Sequence, residues 1–78
     1  MEKYKVAIIG SGSLATIIGE SILTNLSKHY KVLGILSRKV ENAEKLANKL
    51  KSKAYNNIDE IIKDKPDYII EAASPQVV

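Results

Sequence analysis

The stretch from Lys5 to Gly19, KVAIIGSGSLATIIG, constrains the fold of this chain more than any other. A short apolar run, Val6 to Ile9, breaks at Gly10-Ser11-Gly12-Ser13-Leu14-Ala15, and apolar residues at helical spacing follow at once. A glycine-rich loop means little alone, but between a strand and a helix it predicts a phosphate cradle. Gly10 permits the tight turn off the strand, and Gly12 lets a pyrophosphate approach the backbone. Ala15 lets the helix lie close to the strand. The first N–H groups of that helix then face the phosphates, where the helix dipole favours negative charge, and Ser11, Ser13 and Leu14 complete the expected cofactor-binding loop.

The rest of the chain continues the alternation that this loop starts. Lys3 to Ile9 reads as a buried first strand. Leu14, Ile18, Ile22 and Leu26, supported by Ile17 and Leu23, predict a helix with one broad apolar face. Gly19 inside that helix costs about 1 kcal/mol relative to alanine, which implies close packing on the sheet or on a partner. Tyr30 to Leu36 reads as a second strand. Val40 to Leu50 reads as a second helix, with Ala43, Leu46, Ala47 and Leu50 on one face. Lys53 to Tyr55 makes a brief third strand. Asn57-x-x-Glu60 is a variant capping box ahead of Ile61 and Ile62, and Pro66 stops that helix. Asp67 to Ala72 reads as the fourth strand, and Ser74-Pro75 looks like a further helix start. Tyr4, Tyr30, Tyr55 and Tyr68 share no spacing and read as core edges.

Alternating strands and helices with short connections predict an α/β fold, a parallel sheet with helices on both faces. Right-handed crossovers give the strand order 3-2-1-4. The ligand crevice then lies at the carboxyl ends of the strands, where the order reverses around the first. Residues 1–78 read as a single dinucleotide-binding domain, half of a doubly wound fold that breaks off where another helix should begin.

Composition excludes several other functions. There is no cysteine, so no disulfide, thiolate nucleophile or thiolate metal site, and a lone histidine cannot found a metal cluster. This usage fits a reducing, cytoplasmic setting. The net charge of +3 is spread along the chain and its aromatic residues are four tyrosines, which argues against a nucleic-acid surface. No apolar run approaches the ~20 residues that span a bilayer. A chain this short buries only roughly 60% of its unfolded surface, so stability should be marginal and oligomerisation a natural remedy. The apolar edge of the fourth strand, Tyr68 to Ile70, has no lysine or proline to blunt it, which predicts a homo-oligomer.

The end of the second strand bears on the choice of cofactor. Dinucleotide sites usually place an Asp or Glu about 20 residues past the glycine loop, on the adenosine ribose hydroxyls. Here Ser37, Arg38 and Lys39 occupy that corner, and Arg38 is the only arginine in the chain. A carboxylate would repel a 2′-phosphate, whereas a hydroxyl beside a guanidinium and an ammonium favours one. The expectation is NADP in preference to NAD.

With the opening VAIIGSGSLA, the segment YIIEAASPQVV resembles the amino-terminal cofactor domain of L-aspartate dehydrogenases, homoserine dehydrogenases and enzymes of the glucose-fructose oxidoreductase type. The resemblance covers essentially the whole chain and implies a Rossmann-like half-domain. It implies further that Ala72, Ala73, Ser74 and Pro75 border the nicotinamide half of the cofactor. Ser37 departs from the pattern, where an Asp is common. Glu71 reads as a structural, hydrogen-bonded carboxylate and His29 as a solvated residue away from the crevice. No residue stands out as a catalytic acid or base, and the resemblance implies a second domain that supplies one. The chain should therefore bind cofactor without catalysing. A nucleotide-sensing regulatory module and a truncated product without function are the alternatives.

Overall fold

The computed structural model describes residues 3–72 and shows the order β1 (Tyr4–Ile9), α1 (Ser13–Thr24), β2 (Tyr30–Leu36), α2 (Val40–Lys49), β3 (Lys53–Tyr55), α3 (Ile58–Asp64) and β4 (Tyr68–Glu71). All pairings are parallel and the sheet runs β3-β2-β1-β4. Both α1 and α2 pack on one face and α3 on the other, as right-handed crossovers require. Asp67 lies just before β4 rather than in it. Its N–H donates to the Lys5 carbonyl at 2.8 Å, and its carboxylate accepts from the Lys5 N–H at 2.7 Å.

The helical face that α1 buries differs from the one its spacing predicts. Ala15, Gly19 and Ile22 are buried, with Ile18 packed beside them, whereas Leu14 and Ile17 are 56% and 60% exposed. The cause is steric. Small side chains at Ala15 and Gly19 let the helix axis come close, so the helix lies on its small-residue stripe and the bulkier residues fall to either side. A Cβ on Gly19 would run into the Leu50 side chain, so the close packing implied by this glycine is against the end of α2.

The larger core lies under α1 and α2 and unites Val6, Ile8, Val32, Ile35, Leu46 and Leu50. Val32 and Ile35 cannot share a face by strict alternation, since three residues apart is an odd step. An extra residue in β2 reconciles them. Val6 pairs with Val32 but Ala7 pairs with Gly34, so Leu33 has no partner of its own and the strand bulges. Leu33 packs on the α3 side and Gly34 faces Tyr55 there, after which Ile35 returns to the main core.

The α3 side is thinner, built on Ala7, Tyr55 and Ile61. Tyr55 is 1% exposed rather than a core edge, and its hydroxyl donates to the Asp64 carboxylate at 2.7 Å. Burial, then that hydrogen bond, pushes the tyrosine pKa up and keeps it a donor. Lys53 pairs with the same carboxylate; its contact, then that of Tyr55, holds Asp64 below the usual range. The other three tyrosines form one aromatic group at the amino ends of the strands, with ring centroids 5.7 to 6.4 Å apart. At α3, Asn57 Oδ1 accepts from the Glu60 N–H at 3.0 Å, and Glu60 reaches back to the Asn56 N–H at 2.6 Å. The capping box thus closes one residue further back than expected. Lys65 ends the helix in the left-handed region, ahead of Pro66.

Candidate functional site

The glycine loop joins β1 to α1 at the carboxyl edge of the sheet. Gly10 adopts φ 122°, a region costly for any residue with a Cβ, and its N–H donates to the Leu36 carbonyl at 2.7 Å. This bond ties the end of β1 to the end of β2. Gly12 then precedes α1 with extended backbone and supplies no side-chain cap. The first intrahelical bond runs from the Thr16 N–H to the Gly12 carbonyl at 3.0 Å. The N–H groups of Ser13, Leu14 and Ala15 precede it and have no helical partner. No acidic residue stands in this first turn, in contrast to α2 and α3.

A Cβ built on Gly12 would meet nothing within 4 Å. The protein's own packing therefore does not require glycine here. The missing side chain leaves an open approach to the backbone and to the free helix N–H groups. A pyrophosphate needs both, and the residues present fit that group. Ala15 is fully buried against the sheet, in the role its small size predicts.

Ser11 and Ser37 are 26 residues apart in sequence, and their hydroxyl oxygens lie 2.8 Å apart. The loop and the end of β2 thus form one continuous surface. Two hydroxyls that share one hydrogen bond keep a second hydrogen to donate. A carboxylate at position 37 could only accept, so this pair suits a ligand oxygen that bears negative charge. Arg38 and Lys39 follow, both exposed, with Lys39 at the N-cap of α2. Ser11, Gly12, Ser37, Arg38 and Lys39 are accordingly brought to one corner.

Beside this corner an open groove of about 410 Å³ runs between α1 and α2, lined by Ser11, Gly12, Thr16, Asn42, Lys45, Leu46 and Lys49. Sequence reasoning overlooked its α2 wall. The available signal was the spacing of Asn42, Lys45 and Lys49, which share a helix face with the buried Leu46.

At the end of β4, the Ala72 N–H donates to the Ile9 carbonyl at 2.8 Å, and its methyl group is buried in the main core. Ala73, Ser74 and Pro75 lie outside the described residues. Glu71 is exposed opposite Ile9, at the carboxyl end of its strand. His29 is exposed at the other end of the sheet, where its carbonyl accepts from the Tyr4 N–H. No helix among the described residues is long and apolar enough to cross a membrane.

Comparison with known proteins places these features in context. Residues 4–76 match the GFO/IDH/MocA model, described as an oxidoreductase family with an NAD-binding Rossmann fold. L-aspartate dehydrogenase of Methanocaldococcus jannaschii is 28% identical over 74 residues, and that of Methanococcus maripaludis 30%. Each alignment covers 95% of this chain, which spans only 28% of either relative. Among solved structures, GenD2 from gentamicin A biosynthesis, in complex with NAD, superposes with a TM-score of 0.81 at 19% identity. That match covers 94% of this chain and 21% of the other. An oxidoreductase from Thermotoga maritima superposes with a TM-score of 0.75 at 23% identity, over 87% of this chain and 22% of that one.

Proposed function

The chain belongs to the oxidoreductase family with an NAD-binding Rossmann fold, and on that premise we propose that it is the cofactor domain of an aspartate-dehydrogenase-like enzyme that prefers NADP to NAD. The likeness to L-aspartate dehydrogenases supports the class of enzyme. The observation that carries the cofactor preference is the Ser11–Ser37 hydroxyl pair with Arg38 and Lys39 beside it. This corner offers donors and positive charge where a carboxylate would repel a 2′-phosphate. Bound nicotinamide supplies hydride transfer, and the protein supplies placement and electrostatics. In this reading Gly10 to Ala15 hold the pyrophosphate, Ser37 to Lys39 the adenosine end, and Ala72 to Pro75 border the nicotinamide. The catalytic acid or base belongs to the part of the enzyme that holds substrate, and this domain acts in the cytoplasm.

Parallel titrations with NADPH and NADH test the preference. Tighter NADPH binding is expected. Arg38→Ala should weaken NADPH by about ten-fold or more, as expected for one charge-assisted hydrogen bond, and leave NADH nearly unchanged. Tighter NADH binding by the parent chain, or an equal loss for both cofactors, would refute the preference.

The domain is further proposed to self-associate. Among the described residues β4 is an edge strand, with Tyr68 and Ile69 about half exposed. The apolar groove beside it is lined by Ile17, Ile18, Leu26, Tyr30 and Ile70. An unblunted apolar edge invites pairing. Sedimentation at micromolar concentration should give a dimer or larger species, and Ile69→Lys should shift it toward monomer. A parent chain that sediments as a monomer would end this proposal.

A further inference from the structure

The groove between α1 and α2 is not needed to explain pyrophosphate binding, yet it opens directly from the site. Ser11 belongs to both, since its hydroxyl meets Ser37 on one side and it lines the groove on the other. The stagger of the helices gives the groove its chemistry. Both helices follow parallel strands on the same face, so they run in the same direction, and Gly19 lies against Leu50. Stepping back along both helices from that contact brings Lys45 level with the first turn of α1, whose N–H groups are free. The first turn of α2 rises past it as a wall. A long helical side chain leans toward its own N-terminus, and Lys45 lines the groove together with Ser11.

The charges around the groove are sorted. Asn42, Lys45 and Lys49 line it, while Glu41 and Glu44 of α2 and Glu20 of α1 are exposed and lie outside the lining. Neither Lys45 nor Lys49 is ion-paired among the described residues. The Thr16 hydroxyl donates to the Gly12 carbonyl at 2.9 Å, so Thr16 forms wall rather than ligand. What remains lining the groove is the Ser11 hydroxyl, the Asn42 amide and the side chains of two lysines.

We propose that this groove is a pocket for a phosphate monoester, with Lys45 as its principal cation and Ser11 and Asn42 as hydrogen-bond donors. Two sources of that group fit. One is the ribose 2′-phosphate of NADP, which rests on the cofactor reading above and makes Lys45 a specificity residue. The other is a separate phosphorylated small molecule. Lys49, one turn further from the corner, adds field rather than contact.

The test has a dinucleotide arm and a phosphate arm, each run on the parent, Lys45→Ala, Arg38→Ala and the charge-matched control Lys63→Ala on α3. Lys45→Ala should weaken NADPH by about ten-fold, with NADH and thermal stability unchanged and Lys63→Ala without effect. Inorganic phosphate should shift the amide resonances of Ser11, Gly12 and Lys45 in the parent and not in Lys45→Ala. If the phosphate response depends on Lys45 while the NADPH-to-NADH ratio does not, the pocket serves a separate phosphorylated ligand. If Arg38→Ala erases the NADPH preference and Lys45→Ala changes neither readout, the groove is overturned and the cofactor reading stands. If the parent binds neither dinucleotide, the cofactor reading falls, and the phosphate arm alone decides the groove.

Discussion

Gly12→Val should abolish dinucleotide binding and leave the fold in place. Valine at this position fills the space through which a pyrophosphate reaches the first N–H groups of α1. Losing that approach is expected to weaken NADH and NADPH alike by roughly 100-fold or more, about 3 kcal/mol. The fold should tolerate the change, because the new Cβ meets no atom within 4 Å and the backbone, at φ −83°, is open to any residue. Valine is a poorer N-cap than glycine, which lowers stability by about 1 kcal/mol and the melting temperature by several degrees. Circular dichroism and calorimetry check the fold, and fluorescence titration of both reduced cofactors checks the binding. Parental affinity in a folded Gly12→Val chain would show that the loop does not cradle phosphate.

That loop was legible from sequence because its demands are local. A strand end, a positive-φ turn at Gly10 and a small residue at Ala15 each leave a mark in the residue concerned. Strand order followed with equal ease, since short parallel crossovers admit few arrangements. Which face α1 buries was not legible. Leu14 and Ile17 are as apolar as Ile22, and the choice among them is made by how closely the helix approaches at Ala15 and Gly19. Tyr55 was misjudged for a related reason. Its burial depends on the room left by Gly34 and on the Asp64 carboxylate that receives its hydroxyl, and neither is a neighbour in sequence.

At the site the same division holds. Ser37 and Arg38 announced themselves by standing where a carboxylate is usual, but no local signal tells that Ser37 touches Ser11 across 26 residues. Nothing in the sequence sets Lys45 and Lys49 apart from the other lysines spread along the chain. Only the stagger of α2 against α1, set by Gly19 and Leu50, turns that face toward the glycine loop.

The bulge in β2 leads to the second large expected effect. Gly34→Ala should destabilise the domain severely, although one methyl group is a small addition to an ordinary strand. The added Cβ would lie 2.6 Å from the Lys53 carbonyl oxygen and 2.6 Å from Cε2 of Tyr55. Neither neighbour yields easily. The carbonyl belongs to the backbone of β3, which pairs with β2 at that register, and the Tyr55 ring is fully buried and anchored through Asp64. Overpacking of this kind typically costs about 1–3 kcal/mol, and a backbone clash belongs at the upper end. In a domain of this size about 3 kcal/mol lowers the melting temperature by on the order of 15 °C and takes up much of a stability that is small to begin with. Thermal and urea unfolding of Gly34→Ala measure the loss. The double variant Gly34→Ala/Tyr55→Val, measured against Tyr55→Val alone, separates its causes: the ring clash is absent from both, so a loss of stability that persists between them belongs to the Lys53 carbonyl. A melting temperature for Gly34→Ala within two or three degrees of the parent would mean that β2 and β3 can part without cost, and that the bulge does not fix the register of the edge strand.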